Sequence, residues 1–147
     1  MIVAGERLVA RCDRSLYWPR LRTLLVADVH LGKAASFRKL GAIPVTGGTT
    51  AGTLDRLGTA IEESGAERLV ILGDLWHSRA GKEGEVLAAF AEWRVGKPGV
   101  EIALVSGNHD RRSGCLPENL AVREWEEGHV LGPFILRHAP GLGSGER

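Results

Sequence analysis

Features that commonly mark a secreted, membrane-bound or strongly charged protein are scarce in these 147 residues. The chain has two cysteines, Cys12 and Cys115, which lie far apart and form no CxxC motif. This excludes a disulfide scaffold and a zinc ribbon, and we expect two free, buried thiols. No run of about eighteen apolar residues exists, so we expect no membrane span. The N-terminus lacks the apolar core of a secretory signal, which favours the cytoplasm or an equivalent reducing compartment.

Net charge is also nearly absent, at +1 for the whole chain. This excludes the global basic field that drives non-specific DNA binding, so any attraction to phosphate must come from locally placed charge. The hydrophobic content of 44% and the charged content of 25% are typical of a globular protein. The length fits one domain, which we place at residues 1–147.

Short apolar runs alternate with helical periodicity along the chain. The pattern predicts buried strands at 24–27, 68–72 and 101–105, helices over 49–65 and 82–94, and hairpins over 6–18 and 129–138. Thr49 or Thr50 would cap the first helix, and Gly65 would end it. Strands alternating with helices predict an α/β domain with a largely parallel core sheet. Ligands of such sheets gather beyond the carboxyl ends of the strands.

Polar clusters follow each of the three predicted strands. They read DVHLGK from residue 28, GDLWH from residue 73 and GNHD from residue 107. Four of the five histidines lie in these clusters or at His138. Each cluster alone is more typical of a turn than of a functional site, and a single histidine is more often structural. The ordered set at successive strand ends favours a metal site.

The residue types suit that chemistry. Strand alternation would put Asp28 and His30 on one side, where both could bind one ion, and Asp74 could bridge two ions. Gly73 would allow a tight turn out of the strand. Carboxylate, imidazole and the amide of Asn108 suit manganese, iron or zinc rather than calcium.

Two further side chains in the third cluster fit catalytic tasks. His109 is a candidate to protonate the leaving oxygen or to stabilise developing charge, and Asp110 could orient its imidazole. Basic residues follow the clusters and could form a local positive rim for phosphate, the candidates being Lys33, Arg111 and Arg112. Many such residues are simply solvated surface charges. Trp76 could stack on a base, although core packing is the favoured role for it and for Trp93.

The ordered motifs D-x-H, G-D-x-x-H and G-N-H-D resemble those of the calcineurin-like metallophosphoesterases. The segments ADVHLGKAASFRKLGAIPV, VILGDLWHSRAG and SGNHDRR are similar to its ligase-associated bacterial branch. That branch consists of DNA-repair phosphoesterases or endonucleases that accompany a DNA ligase and a helicase. The resemblance extends from about Leu24 to His138 and implies an αββα sandwich of mixed sheets flanked by helices.

The resemblance also implies a ligand set for two divalent metal ions, with manganese preferred and iron or zinc as alternatives. Asp28 and His30 would bind the first ion, Asp74 would bridge, and Asn108 and His138 would bind the second. A water activated by both ions would attack phosphorus, with His109 as the acid or charge stabiliser. His77 would lie beside the ligands rather than among them.

One family motif, G-H-x-H, is missing downstream of His138, and His129 does not match it. We therefore expect a C-terminally truncated domain whose second sheet is incomplete, with an open apolar face that favours a homodimer or poor stability. Three functions stay open on this basis. They are a metal-dependent phosphodiesterase or endonuclease acting on DNA in repair, a small-molecule phosphatase or phosphodiesterase, and an inactive homologue that acts as a binding module.

Overall fold

A computed structural model describes residues 1–32, 49–76, 84–106 and 116–139. Its strands are β1 (Ile2–Val3), β2 (Glu6–Arg7), β3 (Val9–Ala10), β4 (Leu16–Trp18), β5 (Thr23–Ala27), β6 (Arg68–Leu72), β7 (Glu101–Val105), β8 (Val122–Trp125), β9 (His129–Leu131) and β10 (Phe134–Leu136). The main sheet of the described residues has six strands in the order β3-β4-β5-β6-β7-β8. Strands β5 to β8 are parallel, and β3 and β4 join antiparallel. The predicted α/β class with a mixed sheet flanked by helices is confirmed.

The three central strands are buried on both faces, which explains why they are short continuous apolar runs in the sequence. Alternate residues point to opposite sides of the sheet. Leu24, Leu69 and Ile102 face the first side, and Leu25, Val70 and Ala103 face the second. All six side chains are buried. Because β5, β6 and β7 are parallel, their carboxyl ends lie at one edge of the sheet, and burial on both faces keeps this edge rigid.

Two helices, α1 (Thr50–Ser64) and α2 (Gly84–Val95), supply the side chains that cover the first face. Helix α1 begins where the Thr49 hydroxyl accepts a hydrogen bond from the Gly52 N–H, and ends at Gly65 with φ of 70°. Leu54, Leu57 and Ile61 are buried, as their spacing predicts. The structure thus selects Thr49 over Thr50 as the cap.

Helix α2 contributes an aromatic cluster centred on Phe90. The ring of Trp76 meets the ring of Phe90 edge-on, with 5.6 Å between the ring centroids. The ring of Trp93 is tilted against Phe90, also with 5.6 Å between the centroids. Trp76 is only 1% exposed, so it has no free face on which a base could stack. The core role predicted for both tryptophans is confirmed.

The second face of the sheet packs against the β9–β10 hairpin. Trp18 is fully buried there and meets Phe134 edge-on at 5.1 Å. Its indole N–H donates to the carboxylate of Glu6 at 2.7 Å, which links the β1–β2 hairpin to the same cluster. Strands β9 and β10 form a two-stranded sheet around Gly132 and Pro133, as the sequence predicts.

Three details differ from the predictions. Strand β8 was not anticipated, because Val-Arg-Glu-Trp has two exposed charged residues and no continuous apolar run. The hairpin predicted over 6–18 is shorter and consists of β3 and β4, since Glu6 and Arg7 pair with β1 instead. Cys12 is exposed rather than buried, because it lies in the polar turn of that hairpin, and Cys115 is outside the described residues. None of the helices in the described ranges is both long and apolar enough to cross a membrane.

Candidate metal centre

Strands β5 and β6 both end in left-handed turns that carry the predicted ligands. Asp28, His30 and Asp74 have φ values of 53°, 49° and 51°. Aspartate and histidine tolerate this region better than most residues, and the region is costly for other side chains. Asp28 and His30 lie beyond the last residue of β5, so strand alternation does not bring them together. The predicted proximity is correct, but the left-handed turns produce it.

Backbone hydrogen bonds connect the two turns. The His30 N–H donates to the Asp74 carbonyl at 2.8 Å, and the Leu31 N–H donates to the Leu75 carbonyl at 2.7 Å. A parallel bridge between Leu31 and Trp76 follows. The turns are therefore held together by main-chain contacts, and their side chains need no metal to be adjacent.

Asp28, His30 and Asp74 form one compact group of metal-binding side chains. One ligand atom from each lies within 4.8 Å of the others. The Nε2 of His30 is 3.7 Å from a carboxylate oxygen of Asp28. Asp74 is buried, His30 is half-buried and Asp28 is exposed, so the group leads from the core to solvent.

His138 approaches Asp74 from the β9–β10 hairpin. Its Nε2 lies 3.1 Å from Oδ2 of Asp74. Its Nδ1 lies 3.2 Å from the carbonyl oxygen of Leu72, which can only accept, so Nδ1–H is the donor. In a neutral ring the Nε2 lone pair then points towards the carboxylate.

This arrangement fits a divalent cation. Two acceptor atoms facing each other need a proton or a cation between them. Ligand atoms on one ion at bonds of about 2.0–2.2 Å lie roughly 3.0–3.5 Å apart, which matches the pair formed by His138 and Asp74. Imidazole and carboxylate donors suit manganese, iron and zinc. Asp74 is common to this contact and to the group with Asp28 and His30.

The other predicted site residues lie outside the described ranges. These are the ligand Asn108, the catalytic candidates His109 and Asp110, and the phosphate-binding candidates Lys33, Arg111 and Arg112. Their roles stay predictions. Of the predicted site residues, the structure brings together Asp28, His30, Asp74 and His138.

The family model of the calcineurin-like phosphoesterases matches residues 21–140, which include this entire group. The chain belongs to the calcineurin-like phosphoesterase family. The predicted superfamily is therefore confirmed, and with it the class of hydrolases acting on ester bonds. Divalent metal binding is a property of such a domain, in agreement with the side chains that meet at the sheet edge.

Two named proteins are similar to this calcineurin-like domain. The nuclease MPE of Pseudomonas putida has a crystal structure that superposes with a TM-score of 0.86 and 38% identity, covering 98% of this chain and 67% of that one. The DNA double-strand break repair protein Mre11 of Methanopyrus kandleri is 35% identical over 99 residues, 65% of this chain. The chain spans about a fifth of the length of that repair protein, since the match covers 21% of it.

Sequence reasoning missed two residues of this centre. Gly73 was predicted as a turn residue, but it also leaves the space that the His138 ring fills. Glu127 accepts hydrogen bonds from the His138 backbone, and no motif marks it. The glycine directly before a predicted ligand was the available signal for the first, and none was available for the second.

Proposed function

We propose that the chain is a metal-dependent phosphodiesterase that cleaves DNA. The observation that carries the proposal is that Asp74 is close to two sets of donors, one made of Asp28 and His30 and the other of His138. A carboxylate shared in this way suits a two-metal site, because its two oxygens could each bind one ion. Both similar proteins are described as acting on nucleic acid, one as a nuclease and the other as a DNA repair protein.

In this proposal Asp28 and His30 would hold one ion, His138 with the predicted Asn108 would hold the other, and Asp74 would contribute to both. When bound, two such ions would polarise the phosphate and activate a water for in-line attack at phosphorus. Manganese is the ion we expect first, with iron or zinc as alternatives. His109 is proposed to supply the proton to the leaving oxygen.

The left-handed turns and the main-chain bonds between them would set the ligands in advance. The His30 N–H and the Leu31 N–H are both held by the loop after β6. A site held by backbone contacts loses little freedom when it binds ions and substrate, which favours catalysis. The exposed Asp28 lies at the open side of the group, where we expect the phosphodiester to enter.

The first experiment is hydrolysis of bis(p-nitrophenyl) phosphate by the 147-residue protein with added Mn²⁺. Asp74→Asn and Asn108→Ala are expected to lower kcat at least about a hundredfold, since each removes a metal ligand. Asp55→Asn makes the same chemical change on the exposed side of α1 and is expected to leave the rate unchanged. A folded wild type without activity would instead support a binding module.

A second comparison concerns the substrate. The same protein is tested on circular single-stranded DNA, linear duplex DNA and p-nitrophenyl phosphate, with Mn²⁺ and with EDTA. Cleavage of DNA and of the diester without hydrolysis of the monoester is expected. Hydrolysis of the monoester or of small diesters alone would favour a small-molecule phosphatase or phosphodiesterase and remove DNA from the proposal.

The place of this activity in the cell is part of the proposal. The ligase-associated branch leads us to propose DNA repair together with a DNA ligase and a helicase. A free and exposed Cys12 is compatible with the reducing cytoplasm that we propose as its compartment. The homodimer remains a prediction from the sequence.

A further inference from the structure

Glu127 lies in the turn between β8 and the β9–β10 hairpin, at the same edge of the sheet as the metal ligands. The turn is fixed at both ends, because the His129 N–H donates to the Glu126 carbonyl at 3.1 Å and the Gly128 N–H donates to the Leu136 carbonyl at 2.9 Å. Glu127 is half-buried. Its carboxylate is thus presented from a constrained backbone.

The Glu127 carboxylate takes the place of the next pair of backbone hydrogen bonds in the hairpin. The last paired residues of β9 and β10 are His129 and Leu136. Two further steps in this register would bring Glu127 opposite His138, where the strands no longer pair. The Glu127 side chain accepts the His138 N–H instead, with distances of 3.0 Å to Oε1 and 3.1 Å to Oε2. Oε1 also accepts the Ala139 N–H at 3.3 Å.

The backbone of His138 is therefore anchored by Glu127, while its ring is anchored on the other side. Nδ1 of the ring donates to the Leu72 carbonyl at 3.2 Å, and the ring lies directly over Gly73. These contacts direct Nε2 at Asp74. Within the part of the chain that the structure describes, the hydrogen bonds that hold the main chain of His138 beyond β10 go to Glu127.

We infer that Glu127 is a positioning residue for the metal centre, which acts by fixing the backbone of His138. The inference rests on the proposed function, since it assigns Glu127 to the ligand that completes the group at Asp74. A hydrogen-bonded partner behind a metal ligand commonly contributes tenfold to hundredfold in metal affinity. Glu127 differs from the usual case because it holds the main chain of the ligand rather than its ring.

Two substitutions separate the effect of the length of the Glu127 side chain from the effect of its charge. Glu127→Gln keeps the length and an oxygen at the Oε1 position, which can still accept from both N–H groups. Glu127→Asp keeps the charge but is shorter by one methylene, so the oxygen falls short of His138. If position matters, the glutamine variant binds Mn²⁺ within about threefold of wild type, and the aspartate variant binds it about tenfold to hundredfold more weakly. Glu126→Gln removes a neighbouring exposed charge and is the control, expected to bind like wild type.

The affinity is measured by isothermal titration calorimetry with Mn²⁺, and kcat and KM follow with bis(p-nitrophenyl) phosphate. The ring of His138 is monitored in the metal-free proteins by long-range proton–nitrogen NMR. Wild type and Glu127→Gln are expected to show an Nδ1–H that exchanges slowly with solvent because it is hydrogen-bonded to the Leu72 carbonyl, whereas this proton exchanges faster in Glu127→Asp. Thermal unfolding of the metal-free proteins identifies any variant that fails to fold.

The outcomes distinguish the two proposals. A wild type that binds no Mn²⁺ contradicts the proposed function, and the NMR comparison still decides whether Glu127 orders the His138 ring. A wild type that binds Mn²⁺ while Glu127→Asp binds it equally well overturns the inference. It is also overturned if the aspartate variant behaves like wild type while the glutamine variant fails, because charge would then be the cause.

Discussion

The imidazole of His138 occupies the space that a side chain at Gly73 would need. A Cβ built on Gly73 would lie 2.2 Å from Nδ1 of His138 and 2.4 Å from Cγ, far inside van der Waals contact. Gly73 also has φ of 75°, which disfavours any other residue. A glycine next to a buried carboxylate thus admits an imidazole from a distant hairpin, and the proposed function makes both of these side chains metal ligands.

The substitution Gly73→Ala is therefore expected to displace His138 and weaken Mn²⁺ binding at least about tenfold. It should also lower the free energy of unfolding by more than about 1 kcal/mol, because alanine is strained at positive φ and meets the ring. Calorimetry with Mn²⁺ and urea unfolding measure the two effects.

Gly65→Ala provides the matched control. Gly65 has a similar φ of 70°, yet a Cβ there meets nothing within 4 Å. It should show the backbone strain alone and keep the metal affinity of wild type. Equal metal affinities for the two alanine variants would contradict the steric role of Gly73.

Metal binding should stabilise the folded protein, because the ligand group is assembled only in the native state. At Mn²⁺ concentrations about 100 times Kd, we expect a gain of about 2.7 kcal/mol, or roughly 5–10 °C in Tm. The shift is measured by differential scanning calorimetry with and without EDTA. Asp74→Asn should abolish most of it, whereas a shift of equal size in this variant would argue for binding elsewhere.

Two substitutions of Asp28 separate the backbone strain of its left-handed turn from the loss of its carboxylate as a proposed metal ligand. In EDTA, Asp28→Gly should have a free energy of unfolding about 1 kcal/mol higher than Asp28→Ala, because alanine is strained at φ of 53° and glycine is not. Both variants should lose most of the Mn²⁺-dependent gain, because both lack the carboxylate. Urea unfolding at matched metal concentrations checks both statements. Equal stability of the two variants in EDTA would show that the turn relaxes.

Glu6 gives the protein a defined dependence on acid. Hydrogen bonds from Arg20, and then from Trp18, lower the pKa of Glu6 from its usual value of 4.5. A depressed pKa stabilises the fold above the unfolded value, and this contribution is lost as the pH falls through the folded value. The Tm of wild type should therefore fall more steeply than the Tm of Glu6→Gln as the pH decreases below about 4.5. Glu124→Gln, an exposed residue of β8, is the control and should follow wild type in EDTA.

Much of the fold could be predicted because the buried strands carry unbroken apolar runs. The ranges 68–72 and 101–105 agree with β6 and β7 residue for residue. Strand β8 could not be recognised, since it pairs with β7 and carries two consecutive exposed charged residues, Arg123 and Glu124, instead of an apolar run. The exposure of Cys12 depends on which turn it occupies, and residue type alone does not determine that.

The candidate site was predictable where residue type and strand order suffice. Asp28, His30 and Asp74 meet because parallel strands bring their carboxyl ends to one edge. The left-handed turns and the support from Glu127 were not predictable, because they depend on local dihedral angles and on the register of a hairpin.

The separation of Asp28 and His138 along the chain has a consequence for the order of synthesis. A growing polypeptide exposes Asp28, His30 and Asp74 long before the hairpin that carries His138. Domains acquire such non-local contacts late and slowly, since the loop entropy must be overcome first. The ring that faces Asp74 therefore arrives only after the β9–β10 hairpin has docked on the sheet. A metal ion that needed all four side chains would thus bind only once this hairpin is in place.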